Sequence, residues 1–84
     1  MEFEGEALIR KAGYGENGKV NIEVQPLRDG TAFEYVWHPA PDALQKEYLA
    51  IALTAITANK RVFCKMADEN SDQSPILYFG IVKG

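Results

Sequence analysis

Residues 39–62 read PAPDALQKEYLAIALTAITANKRV, and this stretch decides the fold by placing one helix inside a chain otherwise patterned as strands. Pro39 and Pro41 stop the segment before them, because proline donates no hydrogen bond to a strand ladder. Asp42 stands where an N-cap belongs, and Gln45 three residues on completes the spacing of a capping box. A helix over 43–58 is expected to follow. Lys60 and Arg61 lie past its end, where the helix dipole favours cations. At the helical angular step, Leu44, Tyr48, Leu49, Ile51, Ala52, Leu53, Ala55 and Ile56 spread over an arc of roughly 200°. A helix resting on one sheet needs only about 100° of apolar stripe. We therefore expect burial on two sides, one against the chain's own sheet and one against a loop or a second subunit.

Three extended segments precede the helix. The clearest is Val20, Ile22 and Val24 alternating with Lys19, Asn21, Glu23 and Gln25, with Pro26 and the Asp29-Gly30 turn expected to end it. Before it, residues 3–12 place Phe3, Ala7 and Ile9 on one face, and Asn17-Gly18 signals a tight hairpin between the two. A third strand is expected over 31–38, with Phe33, Tyr35 and Trp37 on one face and Ala32, Glu34, Val36 and His38 on the other. After the helix come strands over 62–67 and 76–83, joined by a polar loop at 68–75. The last strand is apolar on both faces, as in a strand covered from both sides. The order βββ-α-ββ defines an α+β, mostly β domain: a small five-stranded OB-like barrel or curved antiparallel sheet, with one helix between strands 3 and 4.

The chain has 84 residues, the size of one domain spanning 1–84, and a net charge of −3. Hydrophobic residues make up 46%, a globular composition. The negative balance argues against general polyanion binding, which works through Lys and Arg. No apolar run is long enough to span a membrane. Cys64 and His38 are the only residues of their kinds, so neither an internal disulfide nor a Cys/His zinc set is expected, and no metal or cofactor. An acidic N-terminus and a lone cysteine fit a reducing, cytoplasmic setting, or secretion if a leader has been removed.

Two phosphate-binding patterns fall in one turn. Residues 13–18 spell G-x-G-x-x-G, and Lys19 extends them to G-x-x-x-x-G-K, but Val20 stands where a P-loop carries Ser or Thr. Both patterns need a helix at their end to hold the phosphates, and a strand is expected there instead. Asp68, Asn70 and Asp72 have the first spacings of a calcium loop, yet Gln73 and Phe79 replace its glycine and its bidentate Glu. No nucleophile–base pair can be assembled, since His38 has no identifiable acid partner and Cys64 sits mid-strand as a small buried hydrophobe. We expect no enzyme.

The stretch EYLAIALTAITANKRV, residues 47–62, resembles the helix-to-strand segment of small OB-fold toxin B subunits, in which an apolar helix runs into a Lys-x-Val strand. The resemblance implies a pentameric ring that binds glycans through one face of the barrel. That family is secreted and usually carries a disulfide, whereas this chain has Cys64 alone. None of the family's sugar-binding residues is carried over to a position here.

The expected function is a non-catalytic binding module that self-associates, with a protein or glycan as ligand. The alternatives are a single-stranded nucleic-acid-binding OB-like domain and a small enzyme of unknown type. Ligand binding is assigned to Tyr35, Trp37 and His38, with the aromatic stripe weighed as either core or stacking platform. An oligomer interface is assigned to Tyr48, Leu49, Leu53, Ile56 and Tyr78.

Overall fold

The computed structural model describes residues 2–16, 18–28, 31–32, 36–68 and 74–82. The strands are β1 (Phe3–Tyr14), β2 (Val20–Arg28), β3 (Thr31–Ala32), β4 (Val36–Pro39), β5 (Val62–Met66) and β6 (Ile76–Ile81). A 3-10 turn (Asp42–Leu44) leads into the helix α1 (Gln45–Thr57). Both β3 and β4 pair with β2, and together they occupy the expected third strand; Phe33, Glu34 and Tyr35 lie outside the described residues. All described pairs are antiparallel, in the order β3-β2-β1-β5-β6 with β4 also on β2. This is the curved-sheet form of the expected fold. The barrel form is not observed, because no described pair joins β6 to β3 or β4.

The core forms on one face of this sheet. Val20, Ile22 and Val24 are fully buried, as their alternation requires, and meet Phe3, Ala7, Val62, Cys64, Met66, Ile76 and Phe79 from the other strands. Burying each Val- or Ile-sized side chain contributes about 1.5–3 kcal/mol. Gly5 faces Cys64 across the ladder and leaves room for the Phe3 ring, whose atoms lie 3.5 Å from where a Cβ would stand. From the helix, Tyr48, Ala52 and Ala55 are buried, and Tyr48 stacks on Phe79 with ring centroids 5.4 Å apart.

Several strand expectations change for identifiable reasons. Pro26 does not end β2. It sits inside the strand, opposite Ala7 of β1. In β1 the register slips between Ile9 and Lys11, and the extra residue, Arg10, lets Ile9 and Ala12 both turn toward the core. A second slip lies between the Lys65↔Tyr78 and Met66↔Ile76 pairs. There Leu77 is the extra residue, so Ile76 and Phe79 are buried while Leu77 and Tyr78 are exposed. The two-faced apolar pattern of β6 thus records a change of phase, not a strand covered on both sides. The turn between β1 and β2 is a hairpin loop, as expected. The Gly15 N–H donates to the Lys19 carbonyl at 2.8 Å, Gly18 adopts φ 76°, and a strand follows; Asn17 lies outside the described residues.

The helix is tethered differently from a capping box. No side chain caps either the 3-10 turn or α1, and Asp42 instead faces Lys19 at 3.3 Å on the surface. Gln45 does reach back, but across the fold. Its Nε2 donates to the carbonyls of Ala40 at 2.8 Å and Pro41 at 2.9 Å, and its Oε1 accepts from the Val20 N–H. Both ends of one amide therefore bind the start of β2 to the chain leaving β4. At the C-terminal end Asn59 takes φ 54°, Lys60 N–H donates to Ala55 at 2.8 Å and Asn59 N–H to Ile56 at 3.2 Å. This is a Schellman closure with Asn in the left-handed position that glycine usually fills. The expected second buried side of the helix is open in this chain: Leu44, Leu53 and Ile56 are exposed. Among the described residues no helix is long and apolar enough to cross a membrane.

Removing the Gln45 amide should strand the Val20 donor and the Ala40 acceptor. Gln45→Ala is expected to cost about 2–3 kcal/mol in urea unfolding. Gln45→Glu should be no better, since a carboxylate cannot donate to two carbonyls. Either variant within about 0.5 kcal/mol of the parent, the range of an ordinary surface change, would show that the tether contributes nothing.

Candidate functional site

Strand register divides the third-strand residues between two faces. His38 pairs with Ile22 and lies wholly inside, whereas Trp37 pairs with Glu23 on the outer face and is 41% exposed. Of the two readings of the aromatic stripe, the core one fails at Trp37. His38, placed with it as a ligand residue, is buried on the opposite face. A carbonyl can only accept, so His38 Nδ1 donates to the Ser74 carbonyl at 3.0 Å. The Ser74 hydroxyl oxygen in turn accepts from the Asp68 N–H at 3.0 Å. His38 therefore anchors the chain entering β6 and is not presented to a ligand. Tyr35 lies outside the described residues.

Beside Trp37 opens a cleft of about 580 Å³. It is lined in succession by Lys11, Ala12, Gly13, Tyr14 and Gly15, and completed by Asn21, Trp37 and the helix residue Ile56. Five consecutive residues of an extended chain cannot line a cleft through their side chains alone, because alternate side chains point to opposite faces. The cleft therefore also meets the backbone of this segment. Among the described residues β5 pairs with β1 from Phe3 to Ala7, and β2 pairs with it from Ala7 to Tyr14. Gly13 keeps the passage open, since a Cβ there would meet nothing within 4 Å. Tyr14 stands at its mouth, 59% exposed.

The polar groups at the cleft are few. The Asn21 Nδ2 donates to the Lys19 carbonyl at 3.2 Å. Lys11 lies directly opposite the buried Glu23, whose carboxylate is also 3.8 Å from Arg10 Nε.

The residues assigned to an oligomer interface fall into three places. Tyr48 is buried in the chain's own core and Leu49 is half-buried against it, so neither is wholly free for a partner. Leu53 and Ile56 are exposed and, with Leu49, follow the i, i+4, i+7 spacing of a single stripe. Tyr78 lies on the outer face of the sheet, edge-on to Phe63 at 5.9 Å, away from the face that carries α1. No single flat surface holds all five.

Sequence reasoning missed Lys11, Gly13, Tyr14 and Asn21. One signal was available: Tyr14 is flanked by Gly13 and Gly15 at a strand end, where an aromatic ring has little core to enter.

Cys64 is fully buried, and burial pushes its thiol up to about 12. The raised value makes the neutral thiol the folded form, so its contribution is complete below the ordinary thiol range near pH 9 and lost as pH rises toward 12. Labelling with a thiol reagent at pH 8 should be negligible in the native protein and complete in denaturant. Fast native labelling would show Cys64 to be accessible.

No family model and no solved structure matches this chain.

Proposed function

We propose that this chain is a non-catalytic binding module that takes a protein or glycan ligand in the cleft beside Trp37 and self-associates through the stripe on α1. One observation carries the first part. Two aromatic side chains, Trp37 and Tyr14, stand exposed at one open cleft, while the core is closed without either. Clefts that combine aromatic walls with a few placed polar groups are the usual form of ligand sites. The absence of catalysis is supported by the burial of the lone histidine and the lone cysteine. A nucleic-acid ligand is disfavoured by the cleft itself, where Lys11 is the one lining cation among the described residues. Self-association is supported by Leu53 and Ile56, apolar and uncovered on a helix whose other side is packed.

Trp37 is the only tryptophan, so its fluorescence reports the cleft directly. Ligands found on glycan and peptide arrays should shift that emission. Gly13→Val should abolish both shift and binding with unchanged melting, because the new side chain points into open space. Ligands that bind Gly13→Val as well as the parent, with no emission change, would place the site elsewhere. For self-association, light scattering at micromolar concentration should exceed the 9.3 kDa monomer and fall to it in Leu53→Lys. A parent protein that is monomeric throughout removes that half of the proposal.

A further inference from the structure

We infer that the ligand cleft and the assembly contact are one continuous surface joined at Ile56, so that a second copy seated on α1 completes the helix side of the cleft, and ligand binding and assembly strengthen each other. The inference rests on both halves of the proposed function and adds the link between them.

The link is visible in what lines the cleft. Among the described residues Ile56 is the helix residue that walls the cleft beside Trp37, and it is also an exposed apolar member of the stripe on α1. On the outward side of the helix Leu53, Thr54, Thr57 and Ala58 line a second hollow of about 280 Å³. Leu53 and Ile56 are three residues apart in the helix and so adjacent on its surface. Together they form the ridge between the hollow and the cleft. The Asn59 N–H donates to the Ile56 carbonyl at 3.2 Å, which holds that end of the ridge in place. On its helix side the cleft is thus walled by one side chain, whereas ligand sites of this size bury most of the ligand's surface. Whatever covers the ridge from outside deepens the cleft on that side.

Charge indicates what covers it. Charged residues make up 25% of the chain, yet residues 48–59, YLAIALTAITAN, contain none. The Thr54 hydroxyl donates to the Ala50 carbonyl at 2.8 Å, so it needs no acceptor from outside the helix. A two-fold contact sets a face against itself, and an identical copy brings the same net charge of −3. Like charges facing each other across such a contact oppose it, and this stretch of helix has none to oppose. A partner of another kind is usually selected by complementary charge, and residues 48–59 offer it nothing to read. Coupling of this sort is reciprocal: if assembly tightens the cleft by some factor, an occupied cleft tightens assembly by the same factor.

The test uses the full chain and anilinonaphthalene sulfonate, a flat apolar probe that accepts excitation from Trp37. Binding in the cleft is the energy-transfer signal that Gly13→Val abolishes. The parent is titrated with the probe below and above the association midpoint found by light scattering. The probe is expected to bind about tenfold tighter above that midpoint, and at saturation to lower the midpoint by the same factor. Leu53→Lys should keep the weaker affinity at every concentration, and Ile56→Ala should bring the two affinities together. Equal or weaker affinity in the assembled parent overturns the link and leaves the proposed function standing. So does an undiminished factor in Ile56→Ala. A parent that scatters as the 9.3 kDa monomer throughout removes self-association and the link together. A probe that draws no excitation from Trp37 removes the cleft and the link but not self-association.

Discussion

Ala7 is the point on which the sheet turns. It pairs with Pro26 of β2 on one edge and Val62 of β5 on the other, and it is completely buried. The β5 ladder runs up to Ala7 and the β2 ladder starts from it, so β1 serves two half-sheets that overlap at one residue. A methyl group suits that position because backbones crowd it from both sides. A larger side chain would meet the overpacking cost of a dense core, about 1–3 kcal/mol. The handover also explains the register slip in β1. A strand that leaves one partner for another must bend, and an inserted residue is the ordinary way to bend it. Arg10 bends β1 just past the handover.

The helix then takes the place the bent sheet leaves for it. Gln45 fixes its entry by joining Val20 to Ala40 and Pro41, and Asn59 fixes its exit by turning the chain back into β5. With both ends held, its rotation is set, and Tyr48, Ala52 and Ala55 face inward whatever the other apolar residues prefer. The wide arc read from the sequence was a true property of the helix. Its second half faces outward because the sheet supplies only one surface.

The elements with clean periodicity were legible in advance: Val20, Ile22 and Val24 as a buried face, the hairpin at 13–18, and the helix. What stayed hidden has physical causes. A one-residue bulge leaves no periodic mark, so neither Arg10 nor Leu77 betrayed the change of phase. Alternation separates two faces but does not say which is inside. The aromatic stripe could be read as core or as platform, yet the inner face at β4 holds His38. Its burial is made tolerable by the Ser74 carbonyl, 36 residues away in the chain, a partner that no local reading can supply. Pro26 was taken for a terminator because its neighbours across the sheet were not visible. The cleft was illegible for the same reason, since its walls come from β1, β2, β4 and α1, far apart in the chain.

Two groups of exposed aromatic rings remain, and they are not equivalent. Phe63 and Tyr78 meet edge to face, and the Tyr78 ring extends over Gly80, where its hydroxyl lies 3.4 Å from the position of a Cβ. That patch covers itself: each ring removes part of the other from water, and the missing side chain at Gly80 is what lets the tyrosine lie down. Trp37 makes no ring contact among the described residues, and beside it lies open volume instead of a neighbouring ring. Water against an indole face is released only if something else takes its place, and a buried aromatic ring contributes about 1.5–3 kcal/mol on that account. The patch on β5 and β6 has already collected part of its share within the chain. The cleft has collected little, and the largest gain still open to the rings of the described residues lies beside Trp37.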